Sequence, residues 1–242
     1  MHFVFDLDGT ICFQDNKIDK PIENALDTLV ATGHDLVFAS ARPVRDMLPT
    51  IPKQFHHVQM VGGNGGLTFK NGHLDATYFE QSAVTALREI IHEYELSYLA
   101  DNAVDFAYVG DSKHPLYLNI NKEIGKHRTI DELEEITKFI LFAPPAGVKE
   151  AIGHLPITIF EHANEQLLDI TPASITKLAG LRRLGIEQFV AFGNDNNDVS
   201  MFQEATYSVC VGEHEAGRFA DVRVARAEVS EMIIRLAKQY RV

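Results

Sequence analysis

Asp6 and Asp8 stand one residue apart in the run Asp6-Leu7-Asp8-Gly9-Thr10. Read as the end of a strand, that spacing brings both carboxylates near one point, where they repel unless a cation or a shared proton intervenes. Magnesium suits such a pair because it is a hard ion that takes oxygen ligands, keeps some of its waters and works beside phosphates. An ionised Asp6 held there can attack phosphorus and form an aspartyl-phosphate, which splits one hard step into two. Asp8 can protonate the leaving alkoxide and then deprotonate the hydrolytic water. The competing reading is that the two acids merely cap a turn or a helix.

Other segments carry polar groups in similar settings. Ser40 lies at the end of a buried run and just ahead of a helix, where its hydroxyl and the helical N–H groups suit an anion; an ordinary N-cap is the alternative. Arg42 either contacts substrate or braces that helix start. Lys177 sits near the start of a helix, where a cation opposes the macrodipole, so it is either a misfit with a purpose, neutralising phosphate, or an exposed helix lysine. Asn194-Asp195-Asn196-Asn197-Asp198 follows another buried run and carries two acids that a plain Asx-rich turn would not need. Asn64 and Gly65 suit the rim of a substrate site, since glycine lets backbone approach a ligand.

The elements that must position these residues follow from hydrophobic patterning. Strands are expected at His2 to Leu7, Asp35 to Ala39, Val58 to Val61, Gln188 to Phe192 and Ser208 to Val211. Helices are expected from Pro21 to Ala31, after Pro43, from Ile175 to a stop at Gly185, and from Val229 to Tyr240. Strands alternating with helices imply a parallel sheet with right-handed crossovers. The rhythm breaks at Asn71-Gly72, a hairpin signal flanked by alternating apolar residues. The middle third then reads as a helix through Val84, Leu87, Ile90 and Ile91, strands at Ser97 to Leu99 and Asp105 to Val109, and a helix from a Thr129/Glu132 capping box to Ile136. A strand from Lys138 to Ala143, a helix from Ala146 to His154 and an antiparallel pair at Ile157 to His162 and Leu167 to Thr171 complete it. The expected fold class is α/β: a doubly wound, mainly parallel, Rossmann-like core from residues 1–79 and 172–242, with a smaller α+β domain inserted at 80–171. In open sheets of this kind, ligands bind beyond the carboxyl ends of the strands, where Asp6/Asp8, Ser40/Arg42 and Asn194 to Asp198 all fall.

Composition limits the partners. The 242 residues carry 22 basic and 34 acidic side chains, a formal charge of -12, which argues against nucleic-acid polymers and anionic membranes. The start, Met1-His2-Phe3-Val4-Phe5-Asp6, meets a carboxylate too early for a signal peptide, and no apolar run is long enough to span a bilayer, so a cytoplasmic location is expected. Cys12 and Cys210 are far apart and expected to be reduced. The 11 histidines form no helical pair and no partnership with cysteine, so zinc is not expected.

The polar segments, in this order and spacing, resemble the four sequence motifs of the haloacid dehalogenase superfamily of phosphohydrolases, with Asp6-Leu7-Asp8-Gly9-Thr10-Ile11 the closest match. The placement of the insert after Gly63-Asn64-Gly65 resembles the Cof-like subgroup. The resemblance implies magnesium dependence and hydrolysis of a small phosphate monoester, with a sugar phosphate the leading substrate class and nucleotides, flavin mononucleotide and pyridoxal phosphate open. It implies Asp6 as nucleophile and metal ligand, Asp8 as general acid/base ligating through its carbonyl, and Ser40, Lys177 and Asn197 as holders of the phosphoryl group. Where the family usually reads Gly-Asp-x-x-Asn-Asp, this chain has Asn194 in place of the first acid, with an acid displaced to Asp195. Asn194, Asp195 and Asp198 are therefore the candidates to complete the metal set, and a weaker metal site is expected. A phosphomutase and a weakly active regulatory or binding protein are the alternative functions. A monomer or homodimer is expected.

Overall fold

The computed structural model describes residues 1–13, 16–162 and 166–240. The chain divides into two compact units, Met1–His73 with Thr176–Val242, and Leu74–Ile175. The expected insert, 80–171, lies within the second.

The first unit opens with β1 (His2–Phe5), α1 (Lys20–Ala31), β2 (Asp35–Ala39), α2 (Val44–Met47), β3 (Gln59–Gly62) and β4 (Leu67–Lys70), and β5 (His73–Ala76) begins at its last residue before the second unit. The turn between β4 and β5 places Asn71 at φ 53° and Gly72 at φ 79°, as an Asn-Gly hairpin requires. The second unit holds α3 (Gln81–Glu93), β6 (Ser97–Asp101), β7 (Phe106–Val109), α4 (Pro115–Leu118), β8 (His127–Arg128), β9 (Lys138–Phe142), α5 (Val148–Ile152), β10 (Ile157–His162) and β11 (Leu167–Pro172). The first unit then resumes with α6 (Lys177–Arg183), β12 (Phe189–Gly193), α7 (Val199–Glu204), β13 (Tyr207–Val211), β14 (Val222–Val224) and α8 (Val229–Gln239).

The larger sheet runs β14-β13-β12-β1-β2-β3-β4-β5. All pairings from β14 to β3 are parallel, and β4 joins β3 antiparallel. The chain moves from β1 toward β3 on one side and from β12 toward β14 on the other, so strand order reverses between β1 and β12. That reversal opens a crevice beyond their carboxyl ends. The strands are apolar on both faces because both are covered. Val4, Val37, Ala39, Val61 and Ala191 pack with Leu181 of α6 and Met201 and Phe202 of α7. The alternate residues Phe3, Phe5, Phe38 and Phe192 are fully buried on the opposite face. The expected doubly wound, mainly parallel α/β core is present.

The smaller unit is α+β, as expected, with sheet order β10-β11-β9-β6-β7-β8. Its pairings are antiparallel except β7 with β8. Ala83, Val84, Leu87 and Ile91 of α3 and Val148 and Ile152 of α5 pack on one face against Ala100, Phe139, Leu141, Leu168 and Ile170.

The helix expected from Thr129 to Ile136 is absent. The Glu132 carboxylate accepts from both Thr129 N (3.0 Å) and Thr129 Oγ1 (2.9 Å), which closes a single turn. Glu135 at φ 52° then breaks any helical path, and Thr137 N donates to Asp101 O (2.8 Å) as the chain enters β9. Ile130, Leu133 and Ile136 are buried nonetheless, so their three-residue spacing reports a buried side of an irregular segment. Two other expected elements are shorter than read: β1 stops at Phe5, and α5 begins only after Gly147 at φ 97°.

Candidate active site

The chemistry-bearing residues of the first unit gather at the carboxyl ends of β1, β2, β3 and β12. Asp6 follows β1 directly and is 4% exposed; Lys177, at the first position of α6, is 0% exposed. Thr176 caps that helix by accepting from Ala179 N at 3.1 Å. The lysine that opposed the helix dipole therefore points inward. Its ammonium donates to Asp6 Oδ1 (2.7 Å), Asp198 Oδ1 (2.6 Å) and Asn197 Oδ1 (3.3 Å). Close approach of α6 to the turn after β3 sets this reach. Gly65 lies at φ 112°, and a Cβ there would stand 2.0 Å from Thr176 O. No other residue type fits that position without moving the start of α6.

Asp6 Oδ2 accepts from Thr10 Oγ1 at 2.8 Å. Burial is the largest influence on Asp6 and pushes its carboxyl up to about 7, with Lys177 acting against it and Asp198 and Asp8 adding to it. Burial acts to lower Lys177, but Asp198 and Asp6 more than reverse this, so the lysine stays charged and is raised above its usual range. Asp198 is saturated: Lys177 takes one oxygen, and Asn194 N (2.8 Å) and Asp195 N (3.1 Å) donate to the other. Asp195 caps the following turn, accepting from Asn196 N at 2.6 Å, with His214 Nε2 at 3.3 Å.

Asp8 is bound by Arg42 in a two-pronged pair, Nε to Oδ2 at 2.7 Å and Nη2 to Oδ1 at 2.5 Å. Arg42 is itself fixed by Thr50 Oγ1 (3.1 Å) and Asn16 Oδ1 (2.5 Å). Ser40, 1% exposed, accepts from Arg42 N through its hydroxyl at 3.1 Å. Asn64, at φ 56°, donates its N–H to Ser40 O (3.1 Å) and accepts from Asn197 Nδ2 through its side chain (3.1 Å). The sequence-derived residues thus fall into two connected groups, Asp6/Lys177/Asn197/Asp198/Asn64 and Asp8/Arg42, with Ser40 joined to both through backbone. Thr10, Asn16, Thr50 and His214 also belong to this constellation; of these, only Thr10, inside the first motif, carries a sequence signal.

The donor chemistry around Asp6 suits a divalent cation. With the Asn194 carboxamide oxygen turned toward Asp6, it lies 3.1 Å from Asp6 Oδ2 and 3.0 Å from the Asp8 carbonyl, with Thr10 Oγ1 at 3.2 Å. Three acceptor oxygens then converge on one spot, an arrangement that fits a hard cation. Among the described residues no group of three His, Cys, Asp or Glu side chains assembles, so the set rests on one carboxylate, one backbone carbonyl and one amide.

Residues 3–221 match the family of haloacid dehalogenase-like hydrolases. The chain belongs to that family. It is 24% identical over 229 residues to the HMP-PP phosphatase of Yersinia enterocolitica, covering 86% of this chain and 82% of that protein. It is 20% identical over 246 residues to the 5-amino-6-(5-phospho-D-ribitylamino)uracil phosphatase of Bacillus subtilis, covering 85% of each. A solved structure of a subclass IIB sugar phosphatase of the superfamily superposes with a TM-score of 0.77 at 19% identity, over 99% of this chain and 98% of that one. The expected family, fold and hydrolase class of the chain, a phosphatase of the Cof-like type, are borne out. Among the described residues no helix is long and apolar enough to cross a membrane.

Proposed function

We propose that the chain is a magnesium-dependent, cytoplasmic phosphatase that hydrolyses a small phosphorylated metabolite through an aspartyl-phosphate on Asp6. The observation that carries this reading is the buried Lys177 ammonium joined to Asp6 Oδ1 and Asp198 Oδ1 at the crevice between β1 and β12. One oxygen of Asp6 is fixed by lysine and the other by Thr10, so the carboxylate is oriented, and Lys177 opposes the rise that burial imposes on it.

Asp6 attacks phosphorus, the bond to the leaving oxygen breaks, and the alkoxide takes its proton from Asp8, which enters the step protonated with its two-pronged pair to Arg42 opened. Asp8, now a carboxylate, removes a proton from water as that water attacks the phospho-Asp6, which releases inorganic phosphate, frees Asp6 as a carboxylate and returns Asp8 to its protonated form. Arg42 orients Asp8, Lys177 and Asn197 hold phosphoryl oxygens, and the Ser40 hydroxyl adds a donor. Asp6 Oδ2, the Asp8 carbonyl and the Asn194 oxygen would hold the magnesium ion, whose charge would offset that of the phosphoryl group. Asp195 and Asp198 are engaged with backbone N–H groups, His214 and Lys177, and act as supports.

Substrate choice belongs to the smaller unit in this reading, with Leu74–Ile175 as the specificity domain and the core unit handling only the phosphoryl group. A sugar phosphate is the leading class, consistent with the likeness to a sugar phosphatase, with Arg42, Asn64 and Gly65 at the rim. The test is phosphate release from a panel of phosphorylated metabolites and an aryl phosphate by wild type and Asp6→Asn, with magnesium present. Asp6→Asn keeps the shape and is expected to remain folded while losing activity by roughly 10³-fold or more. Unchanged phosphate release in that variant would overturn the mechanism.

A further inference from the structure

Asn194 can present two chemically opposite faces to the same place. Oxygen inward, it lies 3.1 Å from Asp6 Oδ2 and 3.0 Å from Asp8 O and accepts from Thr10 Oγ1 at 3.2 Å; nitrogen inward, its N–H groups face those same three atoms at the same distances. Gly9 lies at φ 80°, and a Cβ there would stand only 2.3 Å from Asn194 Nδ2, so glycine leaves the room that the carboxamide occupies. A half-turn of the carboxamide exchanges its oxygen and its nitrogen in that place. A carboxylate at this position has only the acceptor state.

We propose that Asn194 is a two-position switch, closing the site by its own N–H bonds when no cation is bound and turning its oxygen inward to receive a divalent cation. This rests on the reading that Asp6 and the Asp8 carbonyl take such an ion. In the nitrogen-inward state Asp6 Oδ2 has two donors, Thr10 and Asn194, while Lys177 holds Oδ1, so the buried carboxylate is satisfied without metal. In the oxygen-inward state those N–H bonds are lost, Thr10 Oγ1 alone donates to the amide oxygen at 3.2 Å, and the Asp6, Asp8 and Asn194 oxygens face one another, a repulsion that a cation relieves. The cation must therefore displace internal hydrogen bonds on entering, and it meets one charge fewer than an acid would provide. Both effects weaken its binding, since ligand charge tunes affinity at such sites.

The experiment compares wild type with Asn194→Asp in chelator and across a magnesium titration, reading the melting temperature and the dissociation constant by calorimetry. In chelator Asn194→Asp is expected to melt below wild type, because it sets a second carboxylate against Asp6 with no donor. Magnesium is expected to raise the melting temperature of Asn194→Asp more than that of wild type and to bind it roughly tenfold more tightly or better. Equal melting in chelator and equal affinity would overturn the switch while leaving the cation reading intact. No magnesium effect on either protein would overturn both. Because Asn194→Asp can fail to fold, a second measurement uses wild type alone: the Asn194 side-chain amide protons, followed by NMR, are expected to be protected from exchange in chelator and to lose protection at saturating magnesium. An amide signal unchanged by magnesium that binds would refute the turn.

Discussion

Replacing Lys177 by methionine tests the arrangement on which the catalytic reading rests. The side chain is fully buried and its ammonium is 2.7 Å from Asp6 and 2.6 Å from Asp198, themselves 4% and 0% exposed. Methionine fills much of the volume but leaves two carboxylates buried without a countercharge. Removing one partner of a buried ion pair typically costs about 3–5 kcal/mol. For a chain of this size each kcal/mol moves the melting temperature by about 2–4 °C, so Lys177→Met is expected to melt roughly 6–20 °C lower in chelator. The sign of its pH dependence follows from Asp6. In the folded protein that carboxyl is raised from 3.8 to about 7, so the stability it contributes is present at low pH and is lost as pH rises through the folded value, levelling off above it. Lys177 acts to lower Asp6; without it the folded value climbs further and the loss continues beyond pH 7. The deficit of Lys177→Met relative to wild type is therefore expected to widen between pH 7 and pH 9, read by denaturant unfolding at several pH values. A second variant, Lys177→Met with Asp198→Asn, removes one of the stranded charges and is expected to recover part of the loss. A deficit near zero, or one that narrows as pH rises, would refute the buried triad.

Three further outcomes follow from the same geometry. Gly65→Ala forces a Cβ to within 2.0 Å of Thr176 O at φ 112°, so it is expected to shift the start of α6, cost about 2–4 kcal/mol in unfolding experiments and lower phosphate release with it; wild-type stability would show that the approach is looser than described. The acid limb of phosphate release is expected near pH 7, where Asp6 takes up its proton, and to move to lower pH as magnesium is raised; a limb near pH 4 that ignores magnesium would contradict the burial effect on Asp6. Burial pushes the Cys12 thiol up to about 11 and raises that of Cys210, and both are buried, so neither is expected to react with a thiol reagent at pH 8 until denaturant is added.

What could be read from sequence was whatever depends on short-range pattern. β2 matched its apolar run residue for residue, and β1, β3 and β12 ended within two residues of the expected places, because each strand is buried on both faces and stops at a polar cluster. Lys177 was legible as a residue in the wrong place: a cation at a helix start must be held by something, and the holder is the pair Asp6 and Asp198. The Thr129 segment failed for the converse reason. Its capping pair is real, but a turn of three residues makes the same bonds, and the demand of β9 for Thr137 decides where the helical path ends. In the sequence alone Asp195 and Asp198 are indistinguishable. Which one approaches Lys177 depends on the turn after β12, where the Asp198 carboxylate gathers two backbone N–H groups and Asp195 turns out to cap. His214, next to Asp195, comes from beyond β13 and carries no local signal at all.

The charge of -12 sharpens the part played by Asn194. Asp8 and Arg42 cancel, whereas Asp6, Asp198 and Lys177 together leave one formal negative charge at the crevice, unfavourable for a phosphate. A bound divalent cation turns that to one positive charge; with an aspartate at 194 the same ion would bring it only to neutral. The amide therefore exchanges cation affinity for a more positive loaded site, and in a chain this acidic the local sign decides whether a small anion is drawn in. Asn194→Asp is accordingly expected to move two affinities in opposite directions, binding magnesium more tightly and inorganic phosphate, measured by calorimetry at saturating magnesium, several-fold more weakly. If both affinities rose together, the site would be limited by the number of its ligands, and the charge argument would fall.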